Sequence, residues 1–193
     1  LPATTVARVA HRLARDHGEQ VERLALLDIV PTLYRFETLD QKAATSSWHW
    51  FFLIQPGGLP ERLIGSEAEF FLRHQLRTLL HEPAKLEPEA FAEYLCCFKN
   101  PETIRATCAE YRAGASIDLD HDRADRGRRL SMPLLLLWGK HSSQGSGYDL
   151  PAVWRDHAEE VRGHVIDSGH FIPEEAPDET HQALRDFFAA GST

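Results

Sequence analysis

The chain has 193 residues, with 21 Lys and Arg against 29 Asp and Glu, a net charge of −8 with histidines neutral. At 42% hydrophobic and 26% charged residues, its composition is globular rather than disordered or collagen-like. The longest apolar runs, Phe51–Ile54 and Met132–Trp138, fall far short of the ~20 residues that a membrane-spanning helix needs, so no membrane role is expected. No basic-then-apolar leader is visible. The acidic balance disfavours nucleic acid as a partner, and an anionic substrate would need a local arginine. Cys96, Cys97 and Cys108, an odd count with two adjacent members, form no disulfide framework and make the cytoplasm the expected compartment. No His or Cys set has metal-ligand spacing, so no metal is expected.

Residues 4–17 predict an amphipathic helix. Val6, Val9, Ala10, Leu13 and Ala14 fall on one apolar stripe, with Thr4 or Thr5 as N-cap and Gly18 as the break. Val21–Asp28 follows, its second half a continuous apolar run, as expected of a strand covered on both faces of a parallel sheet. Residues 31–125 change character. Helical stretches at roughly 38–53, 66–82, 88–98 and 101–114 are separated by Pro56, Pro60, Pro83, Pro88 and Pro101. The polar stretch His121–Arg129 reads as a solvated loop. The strand pattern returns at Pro133–Gly139. A helix near 151–159, a short strand at Gly163–Asp167 and a turn at 168–171 come next. A closing helix at 178–189 places Ala183, Leu184, Phe187 and Phe188 on one face.

Strands alternating with helices predict an α/β fold with a parallel sheet. The expected organisation is core at 1–30, helical insertion at 31–125 and core at 126–193. In such sheets reactive groups stand at the carboxyl ends of strands. Asp28, the loop after Gly139 and His170 share that edge. An aspartate that holds a histidine fixes its tautomer and stabilises its imidazolium, the general-base half of a triad. Asp28 reads equally as a strand-end cap bonding loop amides, and His170 as a structural residue. Their joint position points to catalysis.

The segment S-G-H-F-I-P-E-E-A-P-D-E (168–179) resembles the histidine loop of α/β-hydrolases. Together with R-L-A-L-L-D-I-V-P-T (23–32), Trp48-His49-Trp50-Phe51-Phe52 and Tyr111-Arg112-Ala113, the chain resembles the haloacetate dehalogenases, including the fluoroacetate-cleaving enzymes. The resemblance runs from about Val6 to the end. It implies the C-terminal portion of an α/β-hydrolase parallel sheet with a helical cap inserted, and hydrolytic dehalogenation of short 2-haloacids without cofactor or metal. In that family an elbow aspartate displaces halide and forms an ester. Water activated by the histidine then hydrolyses that ester. Carried over, His170 is the base and Asp28 its orienting partner. His49, Trp50 and Tyr111 form the halide pocket, and Arg8 grips the substrate carboxylate. A small anionic haloacid is the implied partner, and a homodimer through the cap is the family expectation. Without the resemblance, Trp48, Trp50, Phe51 and Phe52 read as packing between cap and core, His49 as a buried histidine, Tyr111 as interfacial packing and Arg8 as an exposed helix residue.

The chain departs from the pattern at the elbow. The family has an aspartate followed by arginine and glycine just before A-R-V-A-H-R-L-A, which here is residues 7–14. Thr4 stands in the nucleophile place, Thr5 in that of a second arginine, and Val6 in that of the elbow glycine. The expectation is therefore a chain lacking the family's N-terminal portion and inactive alone. Two alternatives remain. One is an epoxide-hydrolase-like enzyme using Tyr94 and Tyr111. The other is a non-catalytic remnant that pairs its open sheet edge with another chain.

Overall fold

The computed structural model describes residues 2–190, with side chains from residue 6. Among them the elements run α1 (Pro2–Asp16), β1 (Leu24–Leu27), α2 (Thr32–Glu37), α3 (Gln41–Ser46), α4 (Trp48–Leu53), α5 (Leu59–Ser66), α6 (Ala68–Leu79), α7 (Pro88–Phe98), α8 (Pro101–Gly114), α9 (Ile117–Ala124), β2 (Leu134–Gly139), α10 (Ser143–Gly147), α11 (Leu150–Arg155), β3 (Val161–Ile166), α12 (Ile172–Glu175) and α13 (Pro177–Ala189). Short 3₁₀ turns occupy Gly18–Gln20 and Pro83–Lys85. The chain divides into two compact units. One holds residues up to Pro31, Leu80–Glu82 and residues from Asp125 onward; the other holds Thr32–Leu79 and Pro83–Ala124.

The first unit is built on a parallel sheet in the order β1-β2-β3, with Leu24 beside Leu134 and Leu134 beside Val161. β2 lies in the middle and is buried at every position but Trp138. That is why P-L-L-L-L-W-G reads as unbroken apolar sequence. On one face Leu135, Leu137, Ile166, Ile172 and Phe187 form a cluster, with Ala25, Leu27, Ala183 and Leu184 packed against it. On the other, Leu24, Leu26, Leu134 and Leu136 are buried, each side chain contributing roughly 1.5–3 kcal/mol. α1 packs on β1 and α11 on β3.

Several sequence expectations are corrected here. α1 begins at Pro2, so Thr4 and Thr5 lie inside the helix rather than capping it, and their side chains fall outside the described residues. The large residues of its apolar stripe face outward, Val6, Val9 and Leu13 being 64%, 61% and 49% exposed, whereas Ala14 of the same stripe is buried together with Ala7, Arg8, His11 and Arg15. The polar residues of that inner face find partners. Arg15 Nε donates to His11 Nε2 at 3.3 Å, its Nη2 lies 3.1 Å from His157 Nδ1, and Nη1 donates to the Arg128 carbonyl. α11 stops at Arg155, short of the expected 159. The next residues bond instead to Leu130, whose N–H donates to the His157 carbonyl and whose carbonyl accepts from Glu159 N–H. On the closing helix Phe187 is buried but Phe188 is 47% exposed.

The second unit is helical. The expected 38–53 helix is broken at Ser47, between α3 and α4. Thr45 and Ser46 hydroxyls donate back to the Gln41 and Ala43 carbonyls, and the Arg35 guanidinium bonds Ser47 Oγ. Such side-chain competition weakens helix interiors. α7 and α8 begin on Pro88 and Pro101, whose fixed φ suits a first helical turn, and Asn100 caps α8. The stretch His121–Arg129 is helical in its first half. α9 buries Leu119, and Asp122 accepts from the Leu33 N–H at the start of α2. Leu53, Ile64, Phe71, Leu72, Phe98 and Ile104 are buried, with Phe71 and Phe98 rings stacked 6.1 Å apart. Among the described residues no helix is long and apolar enough to cross a membrane, and no cluster of three metal-ligating side chains occurs.

Candidate active site

Asp28 ends β1. Its N–H donates to the Leu137 carbonyl at 2.8 Å, continuing the ladder, and its φ of 49° then turns the chain away. Aspartate tolerates this left-handed conformation better than most side chains, and such strain is concentrated at functional positions. The residue is 1% exposed. Its Oδ2 lies 2.6 Å from His170 Nδ1. Its Oδ1 accepts from Gly139 N–H at 3.1 Å and from Ser142 Oγ–H at 2.7 Å. Both readings of Asp28 are therefore realised, as a cap for loop groups and as a partner for His170. A carboxylate at Nδ1 holds the proton there and directs the Nε2 lone pair outward as a base.

Three backbone segments meet at this edge. A Cβ on Gly139 would sit 1.9 Å from the Gly169 carbonyl oxygen, so only glycine lets the end of β2 pass the histidine loop. His141 N–H donates to the Ser168 carbonyl, and Ser142, whose Oγ also accepts from Gly145 N–H, caps α10. Glu175 is buried at 4% exposure. Its Oε1 accepts from Gly169 N–H, and its Oε2 accepts from both His81 and Glu82 N–H, all at 2.9 Å. Sequence reasoning singled out neither Ser142 nor Glu175. The one available signal for Glu175 was its place in the histidine-loop segment 168–179.

Arg8 lies on the buried face of α1, 7% exposed, which removes the reading of it as a surface residue. One and two turns further along, His11 and Arg15 belong to a separate buried cluster with Trp154 and His157, the His11 and Trp154 rings meeting edge-on at 5.1 Å. Burial first, then the neighbouring Arg15, pushes His11 down to about 3, and the same two causes lower His157. Arg12 binds Asp125 at 2.8 Å, and Arg128 also pairs with it. Burial pushes the Asp125 carboxyl up, but the two guanidiniums outweigh it and hold the group below its usual range.

Within the helical unit α4 packs against α8 and brings His49, Trp50 and Tyr111 together. The Tyr111 ring lies 6.0 Å from that of His49 and 5.7 Å from that of Trp50, both edge-on. His49 and Tyr111 are 6% and 3% exposed, and Trp50 is half-buried against Phe36. Next to Tyr111, Arg112 grips Glu61 with both terminal nitrogens, at 2.7 and 2.9 Å, and donates to the Gln55 carbonyl. This bidentate pair ties α8 to α5 and holds the Glu61 carboxyl below its usual range. An imidazole, an indole and a phenol offer three polar hydrogens suited to an anion. Cys108, on the same helix, is buried, and burial raises its thiol to about 11, so it is no nucleophile. Trp48 is 37% exposed and lies edge-on or tilted against Phe52, Phe71 and His74.

No family model matches the chain. It is 36% identical over 183 residues to a fluoroacetate dehalogenase of Burkholderia sp, covering 94% of this chain and 60% of that protein. It is 32% identical over 188 residues to a soluble epoxide hydrolase of Corynebacterium sp. strain C12, covering 94% and 63%. In three dimensions it superposes on a Nostoc sp PCC 7120 protein provisionally named an alpha/beta hydrolase, with a TM-score of 0.92 and 50% identity over 94% of this chain and 62% of that one. The chain thus spans 60% and 63% of the length of the two curated relatives.

Proposed function

From the premise that the chain folds as part of an α/β hydrolase, we propose that it carries the base half and the leaving-group pocket of a hydrolase acting on short 2-haloacids such as haloacetate. The observation that carries this reading is the 2.6 Å bond between His170 Nδ1 and the buried Asp28 carboxylate, at the carboxyl edge of a parallel sheet. The choice of a halide over other leaving groups is supported by the clustering of His49, Trp50 and Tyr111 and by the likeness to a fluoroacetate dehalogenase.

A carboxylate oxygen attacks the carbon bearing the halogen, and the halide leaves with the bonding pair. His170 Nε2 then takes a proton from water as the water oxygen adds to the ester carbonyl. The ester bond breaks, releasing a 2-hydroxyacid and the carboxylate. The donors at 49, 50 and 111 stabilise the departing halide, most for fluoride, the poorest leaving group. Arg8 pairs with the substrate carboxylate and offsets the overall negative charge. The attacking carboxylate of the resemblance has no counterpart at its aligned position, where Thr4 stands, so the base half and the pocket are what this reading assigns to the chain. The partner is a small haloacid in the cytoplasm, and the working unit is a homodimer.

The test measures halide release from chloroacetate and fluoroacetate. The 193-residue chain alone releases none. The same chain joined to the elbow-bearing segment of the dehalogenase relative releases halide, and His170→Ala abolishes it. Release by the chain alone, lost in His170→Ala, would overturn the assignment of the nucleophile. Epoxide opening without halide release would favour a second reading, an epoxide hydrolase with Tyr111 and the half-buried Tyr94 as proton donors, which the Corynebacterium relative supports.

A further inference from the structure

We propose that Glu175 is a positioning residue for His170. Its buried carboxylate clamps the histidine loop to the strap at residues 81–82 and thereby sets where the imidazole stands. This rests on the reading of His170 as the base.

The geometry has three parts. The two carboxylate oxygens are divided between two segments, Oε1 for Gly169 N–H and Oε2 for the N–H groups of His81 and Glu82. Gly169 immediately precedes His170, so the bond fixes the Ser168–Gly169 peptide, one residue before the Cα that carries the imidazole. The strap is an isolated piece of chain: Leu80–Glu82 belongs to the sheet unit, while Leu79 before it and Pro83 after it belong to the helical unit. Its position relative to the histidine loop therefore depends on bonds of this kind. Hydrogen bonds from backbone N–H to an ionised carboxylate are roughly twice as strong as neutral ones. At 4% exposure, water offers no ready substitute.

The side of the loop facing β2 is held independently. Gly139 lies against Gly169, and Ser168 accepts from His141 N–H. The loop is thus gripped from β2 on one side and from the strap on the other, with Glu175 the sole side chain recorded on Gly169 N–H among the described residues. The substitution Glu175→Gln is nearly isosteric but turns one acceptor into an NH₂ group facing N–H donors, so one arm must open.

The experiment is ¹H–¹⁵N NMR of the 193-residue chain and its Glu175→Gln variant, following the His170 Nδ1–H resonance, its exchange with water and the imidazole titration. The expected result is an intact fold, faster exchange at Gly169 or at His81 and Glu82, and at least ~10-fold faster exchange of the His170 Nδ1 proton with a shifted titration midpoint. If those amides lose protection while the His170 signal, exchange and titration stay unchanged, Glu175 is a staple only and the proposal falls. Should the variant unfold, hydrogen exchange of the unaltered chain decides. Gly169, His81 and Glu82 amides opening together with the His170 Nδ1 proton support the clamp; unrelated rates overturn it. None of these readouts requires turnover. A failed halide assay with a moved His170 signal would therefore discard the functional reading and leave the clamp standing.

Discussion

The Ser142 hydroxyl donates to Asp28 Oδ1 at 2.7 Å, leaving Oδ2 wholly to His170. One buried carboxylate is thus oriented from behind by a loop that also starts α10. Ser142→Ala removes this bond and the helix cap together, leaving Gly139 N–H as the remaining donor to Oδ1. The expected loss is about 1–3 kcal/mol, measured as a lower urea midpoint with unchanged m-value.

At Gly139 the obstacle is backbone rather than a side chain that can rotate away. Gly139→Ala is expected to destabilise by about 3 kcal/mol or more and to displace the histidine loop. Thermal melting reads the first effect and the His170 Nδ1–H resonance the second. A substitution tolerated with both unchanged would contradict the packing described.

Acid sensitivity follows from the cluster of His11, Arg15, His157 and Trp154. His11 is held neutral in the fold, down to about 3, against 6.5 when unfolded. Between those values the unfolded chain binds the extra proton, so stability is full above pH 6.5 and falls as pH drops toward 3. The slope from this residue is about 1.4 kcal/mol per pH unit once well below 6.5. Urea midpoints between pH 7 and 4 check the fall, and His11→Gln should flatten it.

Gln75, on α6, is 1% exposed, and its amide oxygen and nitrogen have no hydrogen-bond partner among the described residues. Replacing the amide with an apolar side chain of similar length removes a desolvation penalty. Gln75→Met is expected to stabilise the chain by about 1–2 kcal/mol in denaturant unfolding.

The proposed halide role of Tyr111 is separable from packing, since Tyr111→Phe keeps the ring against His49 and Trp50. In the joined protein the expected cost in halide release is about 100-fold, larger for fluoroacetate than for chloroacetate, with little change in melting temperature. Equal rates for the variant and the parent would remove Tyr111 from the pocket.

What the sequence alone made legible were the features whose signal is local and repeated. The L-L-L-L run of β2 marks a strand buried on both faces, and prolines at 88 and 101 mark the starts of α7 and α8. The parallel sheet follows from the alternation of elements. Asp28 and His170 could be nominated because each stands just past the carboxyl end of a strand, β1 and β3. What the sequence could not decide was which side of α1 is covered: its periodicity names an apolar stripe, but Val6, Val9 and Leu13 of that stripe face outward and the buried side holds His11 and Arg15. Periodicity registers the hydrophobicity of residues and not the presence of a neighbour to cover them. The bonds that join Asp28 to Ser142, Gly169 to Glu175 and Glu61 to Arg112 were equally beyond reach for two of the three, because their partners lie far apart along the chain. Their pairing depends on where the backbone brings them, and only the folded chain sets that.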